Sequence, residues 1–494
     1  MRILAELVNG AIARPDHGDR IETNNPANGA LIGLAPAASR QRVEEAITAA
    51  RAAFDDGRWS RQPAAFRAGL LRELADLLDD NLDALAEAET ADTGMLLKMT
   101  MHGHLPRAIA HLRYFAGEAE RMSGECVSTD EAYLHLIRRE PLGVVAILSP
   151  WNAPLAVATM NLAAALAAGN TVVLKSSERA PFSLSLLAEL AASLDFPAGV
   201  VNIIHGRAEP TGAAITDSRL VDGLCFVGGT ETARAILGSG LHPFRRNTFE
   251  LGGKSPTIVL ADADLERAVD GALLSVFSSN GEVCTAGSRI LIEHALYAPF
   301  LKRFVERTRA IKVGDPRDPD SELGPLIDRK HLEDVQRHLR NAQSQGAQLQ
   351  CGGERPAALT DGQYMTPAVL SGVNTAMDIF HEEVFGPVAA LMPFDDVGHG
   401  IRLANDSEYG LSASVWCGDS AAGLSLAARL RSGVVSVNSP VIRDIRVPFG
   451  GRQNSGVGRV GGRWSIEQFT ELKSTSIPMT AYALPRLGIS AHDD

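Results

Sequence analysis

The chain reads as an α/β protein built from two doubly wound units, and three observations say so. Over residues 141–253 short apolar runs alternate with helical patterns. A second alternation of the same kind starts near residue 257. Two strand-like pieces, residues 132–139 and 472–478, belong to neither series.

In the first unit the apolar runs are 144–148, 171–174, 201–204 and 223–227. They are short and lack a polar face, as strands buried on both sides of a parallel sheet do. Helical patterns follow at 155–168, 181–194, a shorter stretch after 204, and 230–237. A sheet wound in this way binds ligands at the carboxyl ends of its strands. In the second unit, helical patterns at 264–278, 297–311 and 330–345 alternate with strand-like 290–292, 389–393, 412–416 and 434–437. Residues 41–54 and 64–85 read as surface helices. The two stray pieces suit edge strands offered to a neighbouring subunit.

A chain of 494 residues exceeds one ordinary core. Its 45% hydrophobic and 21% charged residues are those of a globular protein. A net charge of −12 repels phosphate backbones and argues against a nucleic-acid partner. The apolar start is broken by Glu6 and Asn9, which makes a poor signal peptide. Residues 153–168 are interrupted by Asn161 and too short to span a bilayer, so no membrane partner is expected. The five cysteines (Cys126, Cys225, Cys284, Cys351, Cys417) are scattered and odd in number. That argues for a reducing compartment, the cytoplasm. The thirteen histidines show no metal-binding spacing, and His102-Gly103-His104 is not a zinc pair.

Three segments carry chemistry. Phe249-Glu250-Leu251-Gly252-Gly253-Lys254 sets a carboxylate at the end of an apolar strand beside two glycines. Asn280-Gly281-Glu282-Val283-Cys284-Thr285 places a cysteine in a turn of small residues, open to a substrate. Ser149-Pro150-Trp151-Asn152 ends the first strand with a side-chain amide. Together they supply a nucleophile, a base and an oxyanion donor. The plain alternative for Cys284 is a small buried hydrophobe.

With these segments, Glu382-Glu383-Val384-Phe385-Gly386-Pro387 and Pro448-Phe449-Gly450-Gly451, the chain resembles the aldehyde dehydrogenase superfamily over essentially its whole length. The resemblance implies an NAD-binding Rossmann-type domain (1–120 and 140–249), a second α/β catalytic domain (250–450), and a small β oligomerisation element (121–139 and 465–485). It implies that Cys284 attacks the aldehyde carbon, that the Asn152 amide and the Cys284 backbone N–H hold the oxyanion, and that Glu250 activates the hydrolytic water. For NAD it implies Lys175 and Glu178 at the adenosine ribose, where a carboxylate disfavours a 2′-phosphate. Gly228, Gly229 and Thr230 would run under the pyrophosphate, and Glu383 and Phe385 would hold the nicotinamide half. Trp151 and Leu251 complete the cofactor set. Ala233 stands where the family usually has a further glycine. Val460 stands where it commonly has a glutamate that helps a proton leave.

Gly456-Val457-Gly458-Arg459-Val460-Gly461 fits a dinucleotide fingerprint but lacks a βαβ setting, so it reads as a glycine-rich loop. Arg443-Asp444-Ile445-Arg446-Val447-Pro448-Phe449-Gly450-Gly451 resembles the 5-carboxymethyl-2-hydroxymuconate, hydroxymuconate and aminomuconate semialdehyde dehydrogenases. Their substrates carry a carboxylate, which guanidinium pairs well. Arg107 and Arg443 match the positions that hold it; structural ion pairs are the alternative. Glu471, Arg246 and Arg459 match an ion-paired network near the subunit interface of family homodimers or homotetramers. Four other readings stay open: oxidation of neutral aldehydes, CoA acylation, a thiol hydrolase, and a binding protein that kept the fold without catalysis.

Overall fold

A computed structural model describes residues 2–15, 18–128, 131–239, 244–481, 484, 487 and 488. The four apolar runs of the first unit become parallel strands, Val144–Leu148, Thr171–Lys175, Val201–Ile204 and Gly223–Val227. Arg246–Glu250 joins them alongside Gly223–Val227. Val144–Leu148 lies at the centre, with Thr171–Lys175 on one side and Gly223–Val227 on the other. The chain therefore reverses its winding direction there, and a crevice opens at the carboxyl ends of these two strands. Ser149–Asn152 and Gly228–Gly229 follow those two ends directly.

Helix Pro154–Ala167 is packed on nearly every side, as its Ala/Leu composition requires, with proline in its first turn, where the lost N–H costs nothing. Helix Arg40–Asp55 starts at Ser39, whose hydroxyl accepts the N–H of Arg42 at 3.2 Å. The expected helix over 64–85 is two helices, Ala64–Asp80 and Leu82–Thr93. Asn81 divides them: its amide bonds back to the Leu77 carbonyl at 2.8 Å and its backbone leaves helical geometry.

The second unit is a seven-stranded sheet ordered 348–351, 368–371, 388–394, 289–293, 256–259, 412–416, 434–437. All neighbours are parallel except the first pair. Residues 251–255 are the only chain between the Glu250 strand and Pro256–Val259, so Glu250 sits where one sheet hands over to the other. The two stray pieces pair with each other, antiparallel through nine residues from Thr470↔Pro141 to Pro478↔Tyr133, and Glu125–Val127 adds a third strand. The outer strand Thr470–Pro478 is exposed along almost all its length.

The glycine-rich stretch is not wholly a loop. Gly456–Val457 adds a short antiparallel strand to the edge of the first sheet, opposite Phe249 and Glu250. Close approach explains the glycine: a Cβ on Gly456 would fall 2.0 Å from the Phe249 carbonyl, and its φ of +131° disfavours other residues. Among the described residues no helix is long and apolar enough to cross a membrane. All five cysteines are free.

Gly456→Ala should force this edge strand away from Glu250. The expected outcome is a stability loss of about 2–3 kcal/mol in urea titration, with a fall in turnover beyond that explained by the unfolded fraction.

Candidate active site

The turn before Cys284 is strained and anchored. Ser279, Asn280 and Gly281 take positive φ in succession (48°, 60° and 73°), a costly path for the first two. Asn280 holds it from below: its amide donates to the Pro325 carbonyl at 2.9 Å and its oxygen accepts the Gly324 N–H at 2.8 Å. Gly281 has no room for a side chain, since a Cβ would sit 2.4 Å from the Gly386 carbonyl carbon. Cys284 is thereby held at the wall of a cavity of about 980 Å³, which Asn152, Glu250, Glu383, Arg107 and Arg443 also line.

The Asn152 amide donates to the Glu282 carbonyl at 2.8 Å. An amide nitrogen has two hydrogens, so one fixes its orientation and the second is left for a substrate oxygen. Among the described residues neither oxygen of Glu250 has a hydrogen-bond partner. Burial pushes its carboxyl up to about 8, against the pull of Arg443 and Arg459. Gly450, which would place a Cβ 2.7 Å from Glu250 Oε1, leaves that side open. Burial also raises the Cys284 thiol, and the neighbouring Arg443 guanidinium opposes this, its Nη2 lying 3.6 Å from Sγ.

Arg443 stacks on the Phe449 ring at 3.6 Å. Arg107 is pushed down to about 10, first by burial and then by the charge of Arg443. Among the described ion pairs, neither arginine has a carboxylate partner within 4.0 Å. Arg246 does pair with Glu471, at 2.6 Å. Arg459 stands apart from that pair, donating instead to the carbonyls of Gly451 and Gly458.

The residues expected to hold NAD gather at the crevice. Lys175 ends its strand with Nζ 3.7 Å from Glu178 Oε2, and that carboxylate is 40% exposed. Gly229 precedes helix Thr230–Gly238, and a Cβ there would meet nothing within 4 Å, so a ligand has open access to the helix start. Gly228 donates to the Glu250 carbonyl at 3.1 Å, which ties this turn to the end of the Glu250 strand. Thr230 Oγ1 donates to the Asn454 carbonyl at 3.4 Å. Ala233 is buried and its helix still packs on the sheet. Leu251 donates its N–H to the Ser455 carbonyl at 3.1 Å. Glu383 Oε1 accepts the Gly253 N–H at 2.9 Å, and a Cβ on Gly252 would lie 2.0 Å from Oε2. Phe385, at a φ of 55°, sets its ring edge-on to Trp151 at 5.3 Å. These groups fit a dinucleotide: carboxylates for ribose hydroxyls, a helix start for phosphate, and aromatic faces nearby.

Comparison with known proteins places the chain. The aldehyde dehydrogenase family model matches residues 13–475. This protein belongs to that family. It is 41% identical over 453 residues to the 5-carboxymethyl-2-hydroxymuconate semialdehyde dehydrogenase of Escherichia coli, covering 90% of this chain and 95% of that one. It is 36% identical over 488 residues to the 2-hydroxymuconic semialdehyde dehydrogenase of Pseudomonas sp. strain CF600, covering 97% and 100%. The fold matches an aldehyde dehydrogenase from Bacillus cereus solved with NAD+, with a TM-score of 0.94, 34% identity and 97% of both chains covered. The protein is an NAD-dependent aldehyde dehydrogenase.

Several groups in this dehydrogenase's site escaped sequence reading. Glu282 is buried, with its carboxyl raised well above the usual range by burial, and its Oε1 accepts the Ile327 N–H at 2.9 Å. His331 Nε2 donates to the Phe385 carbonyl at 2.7 Å. His104 and His111 line the cavity on the same helical stretch as Arg107. Their spacing of three and four residues around Arg107 is a one-face signal that was available in the sequence.

Because the folded protein binds the Glu250 proton more tightly than the unfolded chain, its stabilising contribution is present below about 4.5 and is lost as pH rises through about 8. Glu250→Gln does not titrate, so its Tm should exceed that of the wild type at pH about 9, and the gap should close toward pH about 5. Arg443→Ala should slow alkylation of Cys284 by iodoacetamide near neutral pH by several-fold, because the thiolate loses its nearest cation.

Proposed function

We propose that this dehydrogenase oxidises a carboxylate-bearing semialdehyde of the kind released by aromatic ring cleavage. The observation that carries the reading is the convergence of Arg107 and Arg443, two guanidiniums without a carboxylate partner among the described ion pairs, on the cavity that holds Cys284. Two cations facing one cavity repel each other, and an anionic ligand relieves the repulsion. Guanidinium also meets a carboxylate through paired N–H donors, which fixes the far end of the substrate. The relatives named for hydroxymuconate-type semialdehydes support the same class.

In this reading the Cys284 thiolate attacks the aldehyde carbon, and the free Asn152 N–H with the Cys284 backbone N–H takes the charge that forms on oxygen. When bound, NAD supplies the acceptor for the hydride that turns the thiohemiacetal into a thioester. Glu250, as carboxylate, removes a proton from the water that attacks the thioester, and Cys284 leaves as thiolate. Lys175, Glu178, Gly228, Gly229, Thr230, Trp151, Leu251, Glu383 and Phe385 position the cofactor. Residues 1–120 and 140–249 serve NAD binding, and 250–450 serve catalysis. Residues 121–139 and 465–485 serve assembly into a homodimer or homotetramer through the exposed three-stranded sheet. The free thiols suit the cytoplasm.

The deciding experiment follows NADH formation with a muconate-type semialdehyde, succinic semialdehyde, benzaldehyde and a simple aliphatic aldehyde. The carboxylated aldehydes should be preferred, and Arg107→Ala and Arg443→Ala should each lower kcat/KM for them by about 10–200-fold while changing that for neutral aldehydes far less. Equal losses for both classes, or a wild-type preference for neutral aldehydes, would overturn the substrate reading and leave the enzyme class standing.

A further inference from the structure

The wall beyond the two arginines holds a polar pair that the chemistry above does not use. Residues Thr100–His104 form a π turn that runs directly into helix Leu105–Arg121. Such turns are rare and frequently mark functional sites. This one brings His104 to the cavity one helical turn ahead of Arg107. The His104 side chain is 8% exposed, and its Nδ1 is sealed from solvent with no hydrogen-bond partner among the described residues. Nδ1 faces Glu89 Oε1 at 3.4 Å, an atom equally buried and equally without a hydrogen bond. The other Glu89 oxygen, Oε2, accepts the Leu155 N–H at 3.2 Å. Leu155 lies in the first turn of helix Pro154–Ala167, the end of a helix that favours negative charge. The carboxylate is thus pinned on one side and faces the imidazole on the other.

The neighbouring nitrogen groups on this wall are engaged. His111 Nδ1 faces Thr159 Oγ1 at 3.4 Å, and Arg446 pairs with Asp444 at 2.5 Å. That leaves Arg107, Arg443 and His104 to meet a ligand. One carboxylate occupies two guanidiniums in a forked pairing. The cavity continues past Arg107 to Met99, Gly103 and His104.

We propose that His104, positioned by Glu89, is a specificity-determining residue that takes a second oxygen-bearing group of the substrate, a hydroxyl or a second carboxylate, beside the carboxylate held by Arg107 and Arg443. The inference rests on the semialdehyde reading above. Nδ1 lies 3.4 Å from Glu89 Oε1, and the His104 side chain lines the cavity. Buried groups left unpaired discriminate strongly against substrates that cannot satisfy them.

The test compares kcat/KM within carboxylated aldehydes only, so it is separate from the arginine experiment. Three substrates suffice: adipic semialdehyde, with one carboxylate; 2-hydroxymuconate semialdehyde, which adds a hydroxyl; and 5-carboxymethyl-2-hydroxymuconate semialdehyde, which adds a hydroxyl and a carboxylate. The wild type should prefer the latter two over the first. His104→Gln and His104→Phe should lower that preference ratio at least tenfold, and Glu89→Gln should lower it in the same direction. A drop confined to the carboxymethyl compound assigns His104 to the second carboxylate, and a drop shared by both assigns it to the hydroxyl. Parallel losses on all three substrates with the ratio unchanged would reduce the pair to a structural role and overturn the proposal. So would a wild-type enzyme with no preference for the oxygen-rich substrates, or His104 variants that change nothing.

Discussion

Desolvation of one carboxylate organises the rest of the site. Glu250 lies at the end of an internal strand, with neither oxygen hydrogen-bonded among the described residues and its proton held up to about 8. A buried carboxylate without partners is unfavourable when ionised, and the surrounding fold must hold it there. Two features do so. The strand Arg246–Glu250 is paired on both sides, by Gly223–Val227 and by Gly456–Val457, so its end cannot swing out to water. The following residues enter the second sheet almost at once, so the carboxylate is confined to the boundary between the two units.

The same boundary demands close backbone approach, and glycine meets that demand at defined points. Gly456 lies against the Phe249 carbonyl, Gly252 against Glu383, and Gly281 against the 386–387 peptide. Each contact brings a turn from one part of the chain against a turn from another. Cys284, Glu250 and Glu383 therefore share a cavity although they lie on separate segments. The left-handed run before Cys284 stores strain, and the Asn280 side chain offsets it with hydrogen bonds to backbone groups at Gly324 and Pro325.

Charges of both signs act on the thiol: Arg443 favours the thiolate, and Glu383 and Glu250 oppose it. Arg443 opposes the rise that burial imposes on Cys284, and it lowers Arg107 together with burial. Glu89 partly compensates Arg107 from inside the core. Arg107 and Arg443 have no carboxylate partner among the described ion pairs, and Asp444 on the same wall pairs with Arg446. In the proposed function Arg443 would serve two purposes, favouring thiolate and favouring an anionic substrate end, which would tie reactivity to recognition.

The strands of the first sheet, the alternation of the second unit and the segments around Asn152, Glu250 and Cys284 were legible because each is written in neighbouring residues. Backbone periodicity and turn chemistry are local properties. The break at Asn81 was hidden because the helical pattern continues across it, and only the side-chain bond to Leu77 ends the helix. The short strand at Gly456 carries no strand signal of its own; it exists because Phe249 and Glu250 offer it an edge. The chain by itself determined the α/β class, the two windings and the three segments that carry the proposed nucleophile, base and amide. Tertiary structure decided that Arg107 and Arg443 line one cavity, that Glu89 faces His104, and that Glu250 is raised while Asn152 is oriented by Glu282. Those outcomes depend on distances between remote segments and on the exclusion of water, and no local pattern encodes either.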